Sequence, residues 1–308
     1  MIDRTKNSIK PFWSWNDKLE KAELVHQIEQ MKGKGIEGFF MHARAGLRTP
    51  YMSEEWFQMI EACLDKADEL GMQAWAYDEN GWPSGFGDGL VTDLGLEHQQ
   101  KSLKYLIWEG QEFPQQNVIA YFKKAEDGFK KSNALERGFL VFYYDVNPYY
   151  VDVFNKETIV NFLKFTHEKY YERFGERFGS SLQGFFTDEP QFCKSPWSFV
   201  FPEEFRKVYG YELEEQLPLL FFEEEGYEAV RNDFRLLVAK LFRESFIKQM
   251  YDWCTEHNCK LTGHLMGENT RSMPSLHQCN PSAYSRYFPP SHVPLICSYA
   301  LCTSHTFV

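Results

Sequence analysis

The chain has 308 residues, with 33 Lys+Arg against 44 Asp+Glu and a formal net charge of −11. That length serves one large domain or two ordinary ones, and 43% hydrophobic with 25% charged residues excludes a disordered or collagen-like chain. An acidic balance without basic runs argues against nucleic acid or an anionic membrane surface as partner, since both reward clustered Lys and Arg. No run of 18 apolar residues occurs, so no membrane span is expected, and the opening residues lack the apolar core of a secretory signal. The seven cysteines are irregularly spaced, with Cys254 and Cys259 five apart, and match neither a disulfide framework nor a CxxC site. They predict reduced thiols in a cytoplasmic protein.

In chain order the predicted elements alternate. PFWSWN at 11–16 reads as a strand, and Leu19, Leu24, Val25, Ile28 and Met31 then recur at helical spacing up to Gly33 and Gly35. A second strand at 36–44 precedes a helix capped by Ser53, with Glu54 and Glu55 in the first turn where the helix dipole favours acids. A third strand at 72–79 runs into the glycine-rich segment 80–89. Between about 101 and 148 the period changes to strands split by polar turns, at 103–108, 117–122 and 138–144, which reads as a small β insertion. A long helix at about 156–174, a fourth strand at 182–189, helical stretches at about 202–209 and 227–257, and a fifth strand at 259–264 follow.

This alternation predicts parallel strands joined by right-handed crossovers, hence an α/β fold. No GxGxxG follows a strand and no GxxxxGK[ST] occurs, so neither fingerprint favours an open nucleotide-binding sheet. Each strand instead ends in groups able to bind or react: Asn16, His42 with Arg44, Asp78 with Glu79, Asp188 with Glu189, and His264 with Glu268. In a (β/α)8 TIM-type barrel those ends converge on one face. The expectation is such a barrel over 1–270, incomplete at about five βα units.

Residues 271–308 contain no Asp, Glu or Lys, while all 44 acids fall before them. Three readings compete for this atypical tail. It is a disordered Pro/Ser-rich extension, a zinc-binding segment whose Cys and His spacings match no familiar site, or sequence out of frame after about Thr270. The third is preferred and implies a truncated barrel.

The sharpest motif is GFFTDEP at 184–190. It places Glu189 where a buried strand emerges, and partial desolvation there raises a carboxyl pKa as a general acid requires. Pro190 stops the strand. Asp188 is a weaker candidate, with a structural salt bridge as its alternative. Glycosidic hydrolysis uses a second carboxylate; Glu268 is the best placed, and Asp78 and Glu79 compete. Trp13, Trp15, Asn16, His42, Arg44, Asp78, Glu79, Trp82 and His264 are the candidate substrate-binding residues: indoles stack on sugar C–H faces while amides, acids and bases hold hydroxyls. The competing reading is that several of the tryptophans fill the core or cover helices. No HExxH, GxSxG or EF-hand loop is present, and no metal site follows from spacing. A Schiff-base sugar isomerase or aldolase would want a lysine at a strand end, whereas Lys260 begins its strand.

Five motifs, PFWSWN (11–16), GFFMHAR (38–44), AYDENGWPSG (76–85), FTDEP (186–190) and GHLMGE (263–268), together resemble the catalytic barrel of bacterial α-L-rhamnosidase-like glycoside hydrolases, family 106 and relatives. The YDE…WPSG block is the most specific of them. The resemblance implies a TIM-barrel hydrolase of plant or microbial glycans, with paired acids inverting the anomeric centre and in some members a bound calcium. It covers about 10–270; family members continue for several hundred residues with the rest of the barrel and β-sandwich domains. Two functions are therefore expected: a glycoside hydrolase acting on a carbohydrate substrate by carboxylate acid/base catalysis, or a catalytically inactive carbohydrate-binding fragment.

Overall fold

The computed structural model describes residues 9–265. Its first units follow the alternating pattern: β1 (Phe12–Trp15), α1 (Lys21–Gly33), β2 (Gly38–Ala43), α2 (Glu54–Leu70) and β3 (Gln73–Asn80). Helix α2 opens on Ser53, whose hydroxyl accepts from the Trp56 N–H, and closes on Gly71 in the left-handed conformation that a Cβ disfavours. Its buried residues Trp56, Ile60, Cys63, Leu64 and Ala67 recur at three- and four-residue spacing and join the main core.

The chain then leaves for β4 (Gln99–Trp108), β5 (Val118–Ala125), β6 (Gly128–Ser132) and β7 (Phe139–Val151). It returns through α3 (Lys156–Phe165) and α4 (His167–Phe174) to β8 (Leu182–Asp188). After β9 (Pro196–Trp197) come α5 (Phe201–Tyr209), α6 (Tyr227–Phe242), a π-helical turn at Arg243–Ile247, α7 (Lys248–Glu256) and β10 (Lys260–His264). Two sheets result. One is parallel, in the order β1-β2-β3-β8-β10; the other is antiparallel, in the order β6-β5-β7-β4-β9. The expected α/β class, a five-stranded parallel sheet with a β region after the third strand, is what the chain adopts.

Two local expectations change, in the inserted sheet and in the helix that follows it. The inserted sheet has four strands before α3 rather than three, because the Gly128 turn folds the lysine-rich β6 back onto β5, and it gains β9 from beyond β8. The long helix expected over 156–174 breaks at Thr166, whose hydroxyl donates to Phe162 O at 2.7 Å and meets His167 Nδ1 at 2.8 Å. Glu268 and every reading of the tail lie outside the described residues.

Side chains alternate across the parallel sheet. Trp13, Trp15, Phe39, Met41, Ala74, Ala76 and Phe185 belong with the helices in the main core, whereas Phe12, Phe40, Trp75, Tyr77 and Phe186 form a separate aromatic cluster on the other face. Strands β8 and β10 meet so closely that a Cβ at Gly263 would stand 2.0 Å from Thr187 O, which only glycine avoids. The second sheet is anchored by a buried ion pair. Lys101 of β4 lies 3.6 Å from Asp152, just past β7, and Ser198, just past β9, donates to the same carboxylate at 2.6 Å. Among the described residues no helix is long and apolar enough to cross a membrane, and Cys63, Cys193, Cys254 and Cys259 form no disulfide.

Candidate functional site

The site begins with an irregularity. Met41 of β2 pairs with Ala76 of β3, yet Ala43 pairs with Asn80, so Tyr77, Asp78 and Glu79 together stand opposite His42. A bulge of this kind re-aims side chains, and the three residues part company. Tyr77 turns to the aromatic cluster, its ring 3.6 Å from that of His42, and its hydroxyl donates to Asp188 Oδ2 at 3.2 Å. Asp78 is buried and accepts from the Ser84 hydroxyl at 2.6 Å. Glu79 is buried and accepts three backbone N–H groups, from Asn80 at 2.7 Å, Gly85 at 2.9 Å and Gly87 at 2.8 Å.

Both acids therefore organise the glycine-rich loop. Burial pushes the Asp78 carboxyl well above its ordinary value, opposed by the Ser84 and Thr187 hydroxyls and reinforced by the Glu79 charge. Burial raises Glu79 too, against the pull of the loop N–H groups. The loop is fastened from beneath by Tyr150 of β7, whose hydroxyl donates to Ser84 O and accepts from the Gln191 N–H at 3.0 Å. Ser84 closes the arrangement: its Oγ accepts the Asp188 N–H at 2.7 Å and its N–H donates to Asp188 O at 2.8 Å.

At the end of β8, Asp188 Oδ1 lies 4.0 Å from His264 Nδ1 of β10. Glu189 follows, half-buried, with its N–H donating to His264 O at 3.0 Å. Its φ of 49° is in the left-handed region, which costs a non-glycine residue about 1–2 kcal/mol. Such a conformation persists where the surroundings over-determine it, and it clusters at functional sites. His42, Tyr77, Asp188 and His264 thus form one group across the ends of four strands, and the Glu189 backbone adjoins it. Beside it, Asn16, Arg44 and Trp82 line an open pocket of about 460 Å³ together with Ser14 and Gly81. Ser14 is in register with His42, and the Gly81 backbone adjoins the same imidazole, so pocket and group are contiguous.

The candidate residues thus divide. Asn16, Arg44 and Trp82 share the pocket; His42, Asp188 and His264 belong to the polar group, which Glu189 adjoins through its backbone; Asp78 and Glu79 lie beneath the loop. Trp13 and Trp15 depart from the expected stacking role. Trp13 donates to Gln27 of α1 at 2.6 Å and Trp15 packs edge-on against Trp56 of α2, both on the helix side. Tyr77, Ser84 and Tyr150 were not foreseen in their bonding roles. The first two stand in the YDE…WPSG motif; Tyr150 carried no signal. Among the described residues no three His, Cys, Asp or Glu side chains gather to hold a metal ion, and the oxygens of Glu79 are taken by N–H groups. The calcium implied by the resemblance finds no such cluster of donors among the described residues.

Among solved structures, the chain superposes on a rhamnosidase from Novosphingobium sp. PP1Y with a TM-score of 0.59 and 13% sequence identity, over 88% of this chain and 47% of that one. The likeness is one of fold. The chain spans about half the length of that structure. No protein-family model and no curated protein sequence matches it.

The electrostatics of His42 yield a prediction. Burial, then the charge of Arg44, lowers its pKa from 6.5 to about 3, so the ring is neutral in the folded chain. The unfolded chain takes up the proton first; the stability that His42 confers is complete above pH 6.5 and is lost as pH falls toward 3. His42→Phe keeps the ring against Tyr77. It is expected to shrink the loss of unfolding free energy between pH 7 and pH 5 by about 2 kcal/mol, measured by urea denaturation. An unchanged pH dependence would mean that the imidazole is solvated.

Proposed function

We propose that this chain is the substrate-binding portion of a (β/α)8 barrel and acts as a rhamnosidase-like glycoside hydrolase. Glu189 is its general acid, Glu268 the second carboxylate, and Asp188 is held between Tyr77 and His264. The observation that carries this reading is the contiguity of the strand end bearing Asp188, which Glu189 directly follows, with a pocket offering an amide, a guanidinium and an indole: Asn16, Arg44 and Trp82. A sugar needs that combination, hydroxyl partners on its edges and an apolar plate for its C–H face. The strand order β1-β2-β3-β8-β10, each strand parallel to the next, is that of five consecutive barrel strands, and the fold of the Novosphingobium rhamnosidase supports it. The unpaired cysteines are in keeping with a cytoplasmic setting.

A second reading has one observation in its favour. Asp78 and Glu79 are committed to the loop, which leaves a single strand end, that of β8, to bring carboxylates to the pocket from within the described residues. A barrel portion that binds carbohydrate without cleaving it would look the same. A panel of nitrophenyl glycosides that includes the α-L-rhamnoside, run beside thermal shifts with the free sugars, separates the two. Turnover of one glycoside is the expected result; a sugar-specific shift with no turnover establishes the binding reading. Neither turnover nor shift would overturn both.

A further inference from the structure

A second cavity, of about 410 Å³, lies away from the strand ends, between the inserted sheet and α6. Its apolar wall is Leu103, Phe221 and Phe234, and its charged side chains are Lys194, Arg231 and Arg235. No acidic residue lines it, although the chain as a whole carries a net charge of −11. The volume is that of a small-molecule site.

The basic groups are arranged rather than scattered. Arg231 and Arg235 are one turn apart on α6, so their like charges repel along one helix face, with Phe234 between them in sequence. Arg231 is held in place: its Nε donates to Leu219 O at 3.0 Å and its guanidinium lies over the Tyr227 ring, 4.6 Å from the centroid. Among the described residues the acid within ion-pair distance of it is Glu223 at 3.8 Å, exposed and outside the cavity wall. Arg235 and Lys194 are exposed and make no ion pair among the described residues. Phe221 is fixed in turn against Tyr105 and Phe142 of the inserted sheet.

We propose that this cavity binds a small aromatic carboxylate. The ring lies against Phe221 and Phe234, and the two carboxylate oxygens meet the guanidinium forks, a planar match that an ammonium group cannot reproduce. An anion between Arg231 and Arg235 also relieves their repulsion, so the charge pattern of α6 favours the occupied state. Lys194 adds a third positive charge from the segment that leads out of β8, the strand carrying Asp188.

The test is calorimetric titration of the whole chain with trans-cinnamate and with cinnamamide, its uncharged analogue. Cinnamate is expected to saturate one site and the amide to bind about tenfold or more weakly, the worth of one charge-assisted hydrogen bond. Arg235→Gln and Lys194→Gln, both at exposed positions, are expected to weaken cinnamate binding while leaving the unfolding midpoint unchanged; for Arg235→Gln the loss is about tenfold or more. Absence of saturation, equal affinity for the amide, or undiminished cinnamate binding in Arg235→Gln would each overturn the assignment. So would tighter binding of phenyl phosphate, which would make the cavity a phosphate site.

Discussion

Glu189→Gln is expected to slow hydrolysis of an alkyl glycoside by about a hundred- to ten-thousand-fold, the usual worth of a positioned general acid, with little change in sugar affinity. The amide occupies the same volume and retains a hydrogen-bond donor, so it can hold the glycosidic oxygen but cannot surrender a proton to it. The leaving group sharpens the test. An alkoxide needs that proton as the bond breaks, whereas a nitrophenolate departs without it. The deficit should therefore be large for the alkyl glycoside and much smaller for the nitrophenyl one, in kcat rather than in KM. Equal deficits for both would assign Glu189 to binding or to nucleophilic attack; equal activity of variant and parent would remove it from the mechanism. Gln at a φ of 49° is no more strained than Glu, and the N–H bond to His264 O is a backbone one that the substitution leaves in place.

Which parts of this arrangement can be read from the residues, and which cannot, follows from what each depends on. Strand ends are visible because apolar runs stop at polar pairs, and parallel pairing brings such ends to the same edge of the sheet: His42, Asp188 and His264 were placed on that logic and lie together. The face a strand residue occupies is a different matter. PFWSWN alternates from Trp13 to Asn16, which sets Trp13 and Trp15 on one face and Ser14 and Asn16 on the other, but Phe12 makes that second face apolar as well at the start of the strand, so the pattern does not say which face meets the helices. Asp78 and Glu79 show the same limit. As a pair of acids ending a strand they resemble Asp188 and Glu189, yet the bulge opposite His42 turns them under the loop, and a register shift is a property of two strands together. Tyr150 lies in a different sheet from the loop it fastens, so no spacing along the chain announces it.

Lys101→Met is expected to lower stability by about 3–5 kcal/mol near neutral pH, because it strands the Asp152 carboxylate in the interior. Neither side chain has appreciable solvent exposure, and the lysine also gives its Nζ to Gln99 O at 2.6 Å. Burial already raises the Asp152 pKa, and Lys101 is the strongest force opposing that rise, followed by the Ser198 hydroxyl. Without the lysine the carboxyl protonates in the folded chain instead of standing charged. The folded state then binds the proton that the unfolded state, with an ordinary carboxylate value of 3.8, has released. The deficit of the variant should consequently grow as pH rises above that value and fade as pH falls to it, opposite in sign to the His42 effect. Lys101→Met with Asp152→Asn should recover most of the loss and flatten its pH dependence, since the Asn Oδ1 can still accept the Phe154 N–H that Asp152 Oδ1 holds at 3.0 Å, while its Nδ2 can donate to the Ser198 Oγ once that hydroxyl turns to accept. A single variant as stable as the parent would show the pair to be dispensable. The consequence reaches the candidate site through the chain itself: Asp152 follows β7 directly, Tyr150 is the last residue but one of that strand, and the Tyr150 hydroxyl holds the loop whose Ser84 brackets Asp188. The weakened anchor of the inserted sheet should therefore reduce catalysis in the folded fraction as well, and the double variant should restore both together.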